Sequence, residues 1–179
     1  MTFDNKISSL AKFYKTDKLE HGYTKIYEKY FNIKEKKLNI LEIGVADGGS
    51  LLMWSDYFKN STIIGLDIHK INLKEKKLDR ENIKVHQGSQ SDKQFIDKII
   101  NIYGKFDIII DDGSHIRKDV IKSFHLLFPH LNNEGLYIVE DMQTSYNHFF
   151  GGNPFDLKYS NSHMNFFKHL TDRLNYQEI

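Results

Sequence analysis

Two short stretches carry acids and a histidine where an apolar run would otherwise simply be buried. IIIDDGSH (108–115) leads three isoleucines into Asp111 and Asp112 and then, past a glycine, to His115. GLYIVEDM (135–142) ends a similar run on Glu140 and Asp141. Neighbouring parallel strands lie about 4.8 Å apart, so Asp112, Glu140 and Asp141 can converge if these two runs are adjacent strands. Clustered carboxylates repel one another, which is costly unless a cation neutralises them. Oxygen-only ligands favour a hard ion such as Mg²⁺, which binds few carboxylates, retains waters and accepts substrate oxygens. Each acid taken alone has a plainer use, turn capping for Asp112 or ion pairing for Glu140. The combination of D-G-S-H with E-D is what points to chemistry.

The elements that must position these groups alternate along the chain. A helical N-terminal region, roughly 5 to 33, precedes a first strand at 38–44, stopped by Gly44. A helix at 50–58 begins near Ser50, and strands follow at 61–68 and 82–88. The stretch 91–104 is amphipathic, with Phe95, Ile96, Ile99, Ile100 and Tyr103 on one face and Gly104 as its stop. A fourth strand (106–112), a helix (119–131), a fifth strand (135–142) and a last helical stretch (162–175) complete the order. Apolar strands alternating with helices predict an α/β fold with a mostly parallel sheet covered on both faces. Ligands of such sheets sit in the crevice beyond the carboxyl ends of the strands, which is where the acids and His115 stand.

At 179 residues the chain suits a single domain, with 1–37 as a helical cap and 38–179 as the core. The formal net charge is +1, so the basic surplus of a nucleic-acid binder is absent and no nucleic-acid partner is expected. Lysine clusters such as Lys34 to Lys37 and Lys74 to Lys77 are interrupted by glutamate and read as solvated faces. Without cysteine there are no disulfides and no thiolate chemistry. The N-terminus is too polar for a signal peptide and no run is long enough to span a membrane, so a cytoplasmic location without a membrane partner is expected.

The turn after the first strand, LEIGVADGGS (41–50), is glycine-rich and opens a helix, a combination that lets backbone approach a ligand closely. A dinucleotide site would want G-x-G-x-x-G, but Ala46 occupies the second glycine position. The spacing E-x-G-x-x-x-G, through Glu42, Gly44 and Gly48, resembles the first motif of class I S-adenosylmethionine-dependent methyltransferases. That resemblance implies a Rossmann-like fold and a cofactor set of Glu42, Gly44, Gly48, Ser50, Asp67, Ser89, Gln90 and Asp111. Asp67, closing GLDI, would accept hydrogen bonds from both ribose hydroxyls, and Ser89 and Gln90 would lie near the adenine. In the plainer reading QGSQSD (87–92) is only a helix start, capped by Ser91 or Asp92.

Over nearly its whole length the chain further resembles the metal-dependent sugar O-methyltransferases of the macrolide (mycinamicin) type. The resemblance is carried by YKTDKLEHGYTKIYEKYF (14–31), LEIGVADGGSLLMW, GLDI, IIIDDGSH and VEDMQTSY (139–146), the last two being the specific ones. It implies that Asp112, Glu140 and Asp141 hold Mg²⁺, that His115 is the general base, and that S-adenosylmethionine is the methyl donor. The acceptor would be a small molecule, a sugar with neighbouring hydroxyls. It also implies that the segment with Lys18, His21, Tyr23 and Tyr27 closes over the cofactor or the sugar, although aromatics at this spacing also suit a core. His86, His125 and His169 are expected to be structural or exposed, His148 could face a substrate, and 151–154 (GGNP) reads as a mobile loop over the site. A class I sheet finishes with two further strands that the sequence up to Ile179 does not supply, so the last strands are expected to be missing and an exposed sheet edge could pair with another copy. Three alternatives stay open: a catechol-type methyltransferase, a catalytically silent S-adenosylmethionine-binding module, and a nucleotide-sugar or NAD-dependent oxidoreductase, against which Ala46 argues.

Overall fold

The computed structural model describes residues 6–31 and 36–174. The outer ends of the 5–33 and 162–175 helical stretches, residues 34 and 35 of the first lysine cluster, and Ile179 lie outside them. Five parallel strands form one sheet: β1 (Asn39–Ile43), β2 (Thr62–Asp67), β3 (Ile83–Gln87), β4 (Phe106–Asp111) and β5 (Leu131–Val139), in the order β3-β2-β1-β4-β5. The order reverses between β1 and β4, so the crevice of this α/β sheet opens beside the carboxyl ends of those two strands. The two acid-bearing runs, β4 and β5, are neighbours in register, with Ile110 opposite Ile138 and Asp111 opposite Val139.

Both faces are covered, and the pleat decides which residue goes where, because successive side chains alternate across a strand. Ile40, Ile63, Ile108 and Ile110 face α1 (Ile7–Tyr14), α2 (Tyr23–Tyr30) and α3 (Gly49–Tyr57), where Trp54, Tyr27 and Phe31 pack. Leu41, Ile43, Ile64 and Ile109 face the opposite layer, where Ile96 and Ile99 of α4 (Lys93–Tyr103) and Leu127 of α5 (Arg117–Leu127) pack. The amphipathic stretch predicted at 91–104 is α4, capped by Asp92, whose carboxylate accepts from the Gln94 and Phe95 amides. Helix α6 (His163–Leu174) packs against α5 through Phe166 and Phe167, whose rings meet Phe124. The predicted fifth strand begins four residues earlier than expected, at Leu131, because Leu131 pairs with Phe106 ahead of a bulge in β5. Within the described residues the helical N-terminal region holds two short helices, parted at residues 15–22 by a turn that starts with Lys15 in the left-handed region. That turn lies over the carboxyl ends of the strands. Among the described residues no helix is long and apolar enough to cross a membrane.

Candidate active site

A cavity of about 890 Å³ opens at the carboxyl ends of the strands, within the range of about 300–1,000 Å³ usual for small-molecule sites. Its walls come from residues 14–18, the β1–α3 loop, the ends of β2 and β3, and residues 112–115 after β4. Gly44, Gly48, Ser50, Asp67, Ser89, Gln90, Asp112, His115 and Asp141 all line it. Gly44 has φ +92, and a Cβ there would stand 2.1 Å from the carbonyl oxygen of Asp112, so glycine is what lets the β4 loop close against the β1 loop. The first turn of α3, Gly49 and Ser50, points its free amide end into the same space.

The carboxylate of Asp67 is already well occupied. Its Oδ2 accepts from the backbone amides of Val45 (2.9 Å) and Ala46 (3.2 Å), and its Oδ1 from that of His69 (2.8 Å). A carboxylate has about four acceptor positions, so Asp67 shapes the glycine loop and retains room for about one further donor. Gln90 also has a second use. Its amide donates to Asp111 at 3.0 Å and its Oε1 accepts from the Ser114 backbone N–H at 2.8 Å, tying the β3 loop to the D-G-S-H turn.

Two of the expected cofactor residues stand behind the wall rather than in it. Glu42 is fully buried on the α1–α3 face, where it accepts from the Trp54 indole at 3.0 Å. Asp111, one residue out of phase with Asp112, turns to the opposite face and is held by Gln90 and Ser123. Burial pushes its pKa up to about 6, with hydrogen bonds from Ser123 and Gln90 pulling the other way. The pleat sets both outcomes. Ile40 and Glu42, Ile108 with Ile110 and Asp112, and Ile138 with Glu140 share one face of the sheet.

On that face three carboxylates meet an ammonium group that stands far from them in sequence. Lys18, only 1% exposed, places Nζ 2.7 Å from Asp112 Oδ2, 2.7 Å from Glu140 Oε1 and 3.1 Å from Glu42 Oε1. Burial works against its charge, but Glu42, Glu140 and Asp112 outweigh that and hold its pKa well above the usual value. Glu140 also accepts from the Tyr27 hydroxyl, on the same oxygen. Burial raises Glu140 to about 7 against the pull of Lys18. The need for a cation among these acids is thus met in part from within the chain, by a residue expected only to lie over the cofactor or sugar.

Among the described residues, the group with metal-ligand spacing is Asp112, His115 and Asp141, each offering an atom within 4.8 Å of the others. Glu140, expected in the ligand set, lies outside this group because its Oε1 is turned to Lys18 and Tyr27. His115 Nε2 stands 3.8 Å from Asp112 Oδ1 and 3.7 Å from Asp141 Oδ2, too far for hydrogen bonds. Burial disfavours the ionised form of Asp141, but hydrogen bonds from Gln143 and Tyr23 and the nearby His115 and His21 hold its pKa below the ordinary range. His115 and Asp141 both adopt left-handed backbone (φ 55 and 53), as does Ala46 (φ 46) in the glycine loop. Such conformations cost about 1–3 kcal/mol each and gather at functional sites.

The remaining expectations divide. His21 stands 3.8 Å from Asp141, and the ring of Phe150 lies edge-on to His115 at 6.2 Å. His148 is exposed and lies tilted against the Phe149 ring, off the cavity wall. His86 is held by the Tyr103 hydroxyl (2.7 Å), while His125 and His169 are exposed. Helix α4 is capped by Asp92, while Ser89, whose hydroxyl pairs with that of Ser91 at 3.1 Å, lines the cavity. Sequence reasoning missed the structural use of Lys18 and of Tyr23, whose hydroxyl holds Asp141 at 2.8 Å.

The chain is similar in sequence and fold to known methyltransferases. The family model for FtsJ-like methyltransferases matches residues 19–170. The mycinamicin VI 2''-O-methyltransferase of Micromonospora griseorubida is 39% identical over 183 residues, covering 97% of this chain and 45% of that protein. The demethylmacrocin O-methyltransferase of Streptomyces fradiae is 37% identical over 167 residues, covering 89% of this chain and 41% of that protein. The chain therefore spans less than half the length of these relatives. A solved structure of the MycE methyltransferase from the mycinamycin biosynthetic pathway, in complex with Mg and SAH, superposes with a TM-score of 0.90 at 38% identity, over 97% of this chain and 46% of that one.

Proposed function

Because the chain belongs to the FtsJ-like methyltransferases, we propose that it is an S-adenosylmethionine-dependent, Mg²⁺-assisted O-methyltransferase acting on a hydroxyl of a sugar or glycosylated small molecule. The observation that carries this reading is the grouping of Asp112, His115 and Asp141 at the wall of the cavity. The donor chemistry fits the ion. Lys18 is one ammonium among Glu42, Asp112 and Glu140, with Asp141 close by, so negative charge remains for a hard divalent cation. Asp112 and Asp141 would hold Mg²⁺ directly, with Glu140 as the third acid of the set, its Oε1 kept by Lys18 and Tyr27. When bound, Mg²⁺ supplies a lowered pKa and a fixed direction for a hydroxyl oxygen.

The chain's own groups would do the rest. Asp67 accepts from one ribose hydroxyl with its remaining acceptor position, while its amide contacts keep the glycine loop in shape. The first turn of α3 offers backbone N–H groups to the carboxylate of the methyl donor. Residues 14–18 wall the donor off from water on one side. His115 Nε2, beside both aspartates, takes the proton of the attacking hydroxyl as a general base. The relatives' acceptors, among them mycinamicin VI, make a glycosylated small molecule the acceptor of choice here as well.

The test is methyl transfer from S-adenosylmethionine to a diol sugar, with and without EDTA. EDTA and Asp141→Asn should each abolish turnover while donor binding persists, and His115→Ala should lower turnover by roughly 10²–10⁴-fold. Undiminished turnover in EDTA would remove the ion from the mechanism, and near-normal turnover of His115→Ala would remove the base.

A further inference from the structure

The N-terminal segment holds one oxygen of each acid in the proposed metal set. Lys18 Nζ donates to Asp112 Oδ2 and to Glu140 Oε1, both at 2.7 Å. The Tyr23 hydroxyl donates to Asp141 Oδ1 at 2.8 Å and accepts from the Asp141 backbone N–H at 3.0 Å. The opposite oxygens, Asp112 Oδ1 and Asp141 Oδ2, are the ones that face His115. We infer that Lys18 and Tyr23 are positioning residues of the metal site, each fixing the outer oxygen of an aspartate so that the inner one is presented beside His115. The inference rests on the metal reading proposed above.

The two residues work differently. Lys18 supplies charge as well as geometry, since Glu42, Asp112 and Glu140 all surround its ammonium group. Tyr23 is neutral and supplies geometry alone. It grips Asp141 at both the carboxylate and the backbone amide, and so holds a residue whose left-handed φ of 53° is unfavourable by itself. Outer partners of this kind set the orientation of a ligand, and their removal typically lowers metal affinity by about 10–100-fold. Because these partners sit on the turn before α2 and on its first residue, occupancy of the ion and docking of residues 16–27 must favour each other. Linkage makes that coupling reciprocal.

Tyr23→Phe is the decisive variant, because it removes one hydroxyl and leaves the ring, whereas removing Lys18 would leave two buried carboxylates and the half-buried Asp112 facing one another. Mn²⁺ serves as the probe, its free concentration followed by electron paramagnetic resonance during titration of the full chain, the variant and Asp141→Asn. The full chain should bind the ion and Asp141→Asn should lose it. Tyr23→Phe should bind about 10–100-fold more weakly, with unchanged S-adenosylmethionine affinity and a thermal midpoint lowered only by the few degrees that two lost hydrogen bonds cause. Hydrogen exchange across residues 16–27 should slow on Mn²⁺ addition in the parent, and less so in the variant. Mn²⁺ affinity within twofold of the parent would overturn the inference. So would a joint loss of ion affinity, donor affinity and thermal midpoint, which would make Tyr23 merely structural. Failure of the parent to bind Mn²⁺ would instead overturn the metal reading on which the inference stands.

Discussion

Lys18→Met replaces the buried ammonium with an uncharged side chain of similar length. In the native chain Nζ lies 2.7 Å from Asp112 and from Glu140, and 3.1 Å from Glu42, with almost no exposure to solvent. Breaking a buried ion pair from one side costs about 3–5 kcal/mol, chiefly because the remaining charge is left uncompensated. Here three carboxylates lose their shared cation, so the upper part of that range is expected. Domains of this size are stable by only about 5–15 kcal/mol, so the variant should fold marginally. Urea unfolding of parent and variant, followed by circular dichroism, measures the difference as a lowered midpoint at similar slope. One further measurement binds the loss to charge rather than to shape. Adding Glu42→Gln, which keeps an acceptor for the Trp54 indole, should recover about 1–3 kcal/mol, the size of coupling between residues in one network. A loss smaller than about 1 kcal/mol, or a double variant no more stable than the single one, would refute the reasoning.

Asp67→Ala should weaken S-adenosylmethionine binding tenfold or more, since a hydrogen bond to a charged group contributes about 1.5–3 kcal/mol and the amides of Val45 and Ala46 lose their partner as well. Calorimetric titration reads this directly, and parent-like affinity would place the ribose elsewhere. His163 gives a stability profile with a defined sign. Burial, and after it the charges of His115 and Arg117, lowers its pKa to about 4 from 6.5, and its Nδ1 has no hydrogen-bond partner. The unfolded chain therefore takes up the proton first. Stability is fully present above pH 6.5 and falls by about 3 kcal/mol as pH drops towards 4. Urea midpoints measured across that window should flatten in His163→Gln, and parallel profiles for parent and variant would sink the assignment.

The sequence by itself determined the alternation of apolar strands with helices, and with it the end of the sheet at which a site could lie. Short apolar runs punctuated by glycine, and the spacing of Phe95, Ile96, Ile99 and Ile100, are local patterns, and local patterns survive without knowledge of the tertiary structure. It also placed Asp112, His115 and Asp141 at strand ends, because adjacency of β4 and β5 is the common outcome for consecutive strands. What it left undecided was the direction of each side chain. Glu42 and Asp111 sit within the expected cofactor motifs, yet the two-residue period of the pleat turns them into opposite layers behind the cavity wall. Only the tertiary structure decided what stands among the acids. Lys18 lies 94 residues from Asp112 and 122 from Glu140, and no periodicity reports a contact across that separation. A parity count of the strand-end acids could have signalled that Glu42, Asp112 and Glu140 share one face and require a cation. The fold alone brought the turn before α2 over that face, because burial of Tyr27 and Phe31 against Trp54 carries the segment there.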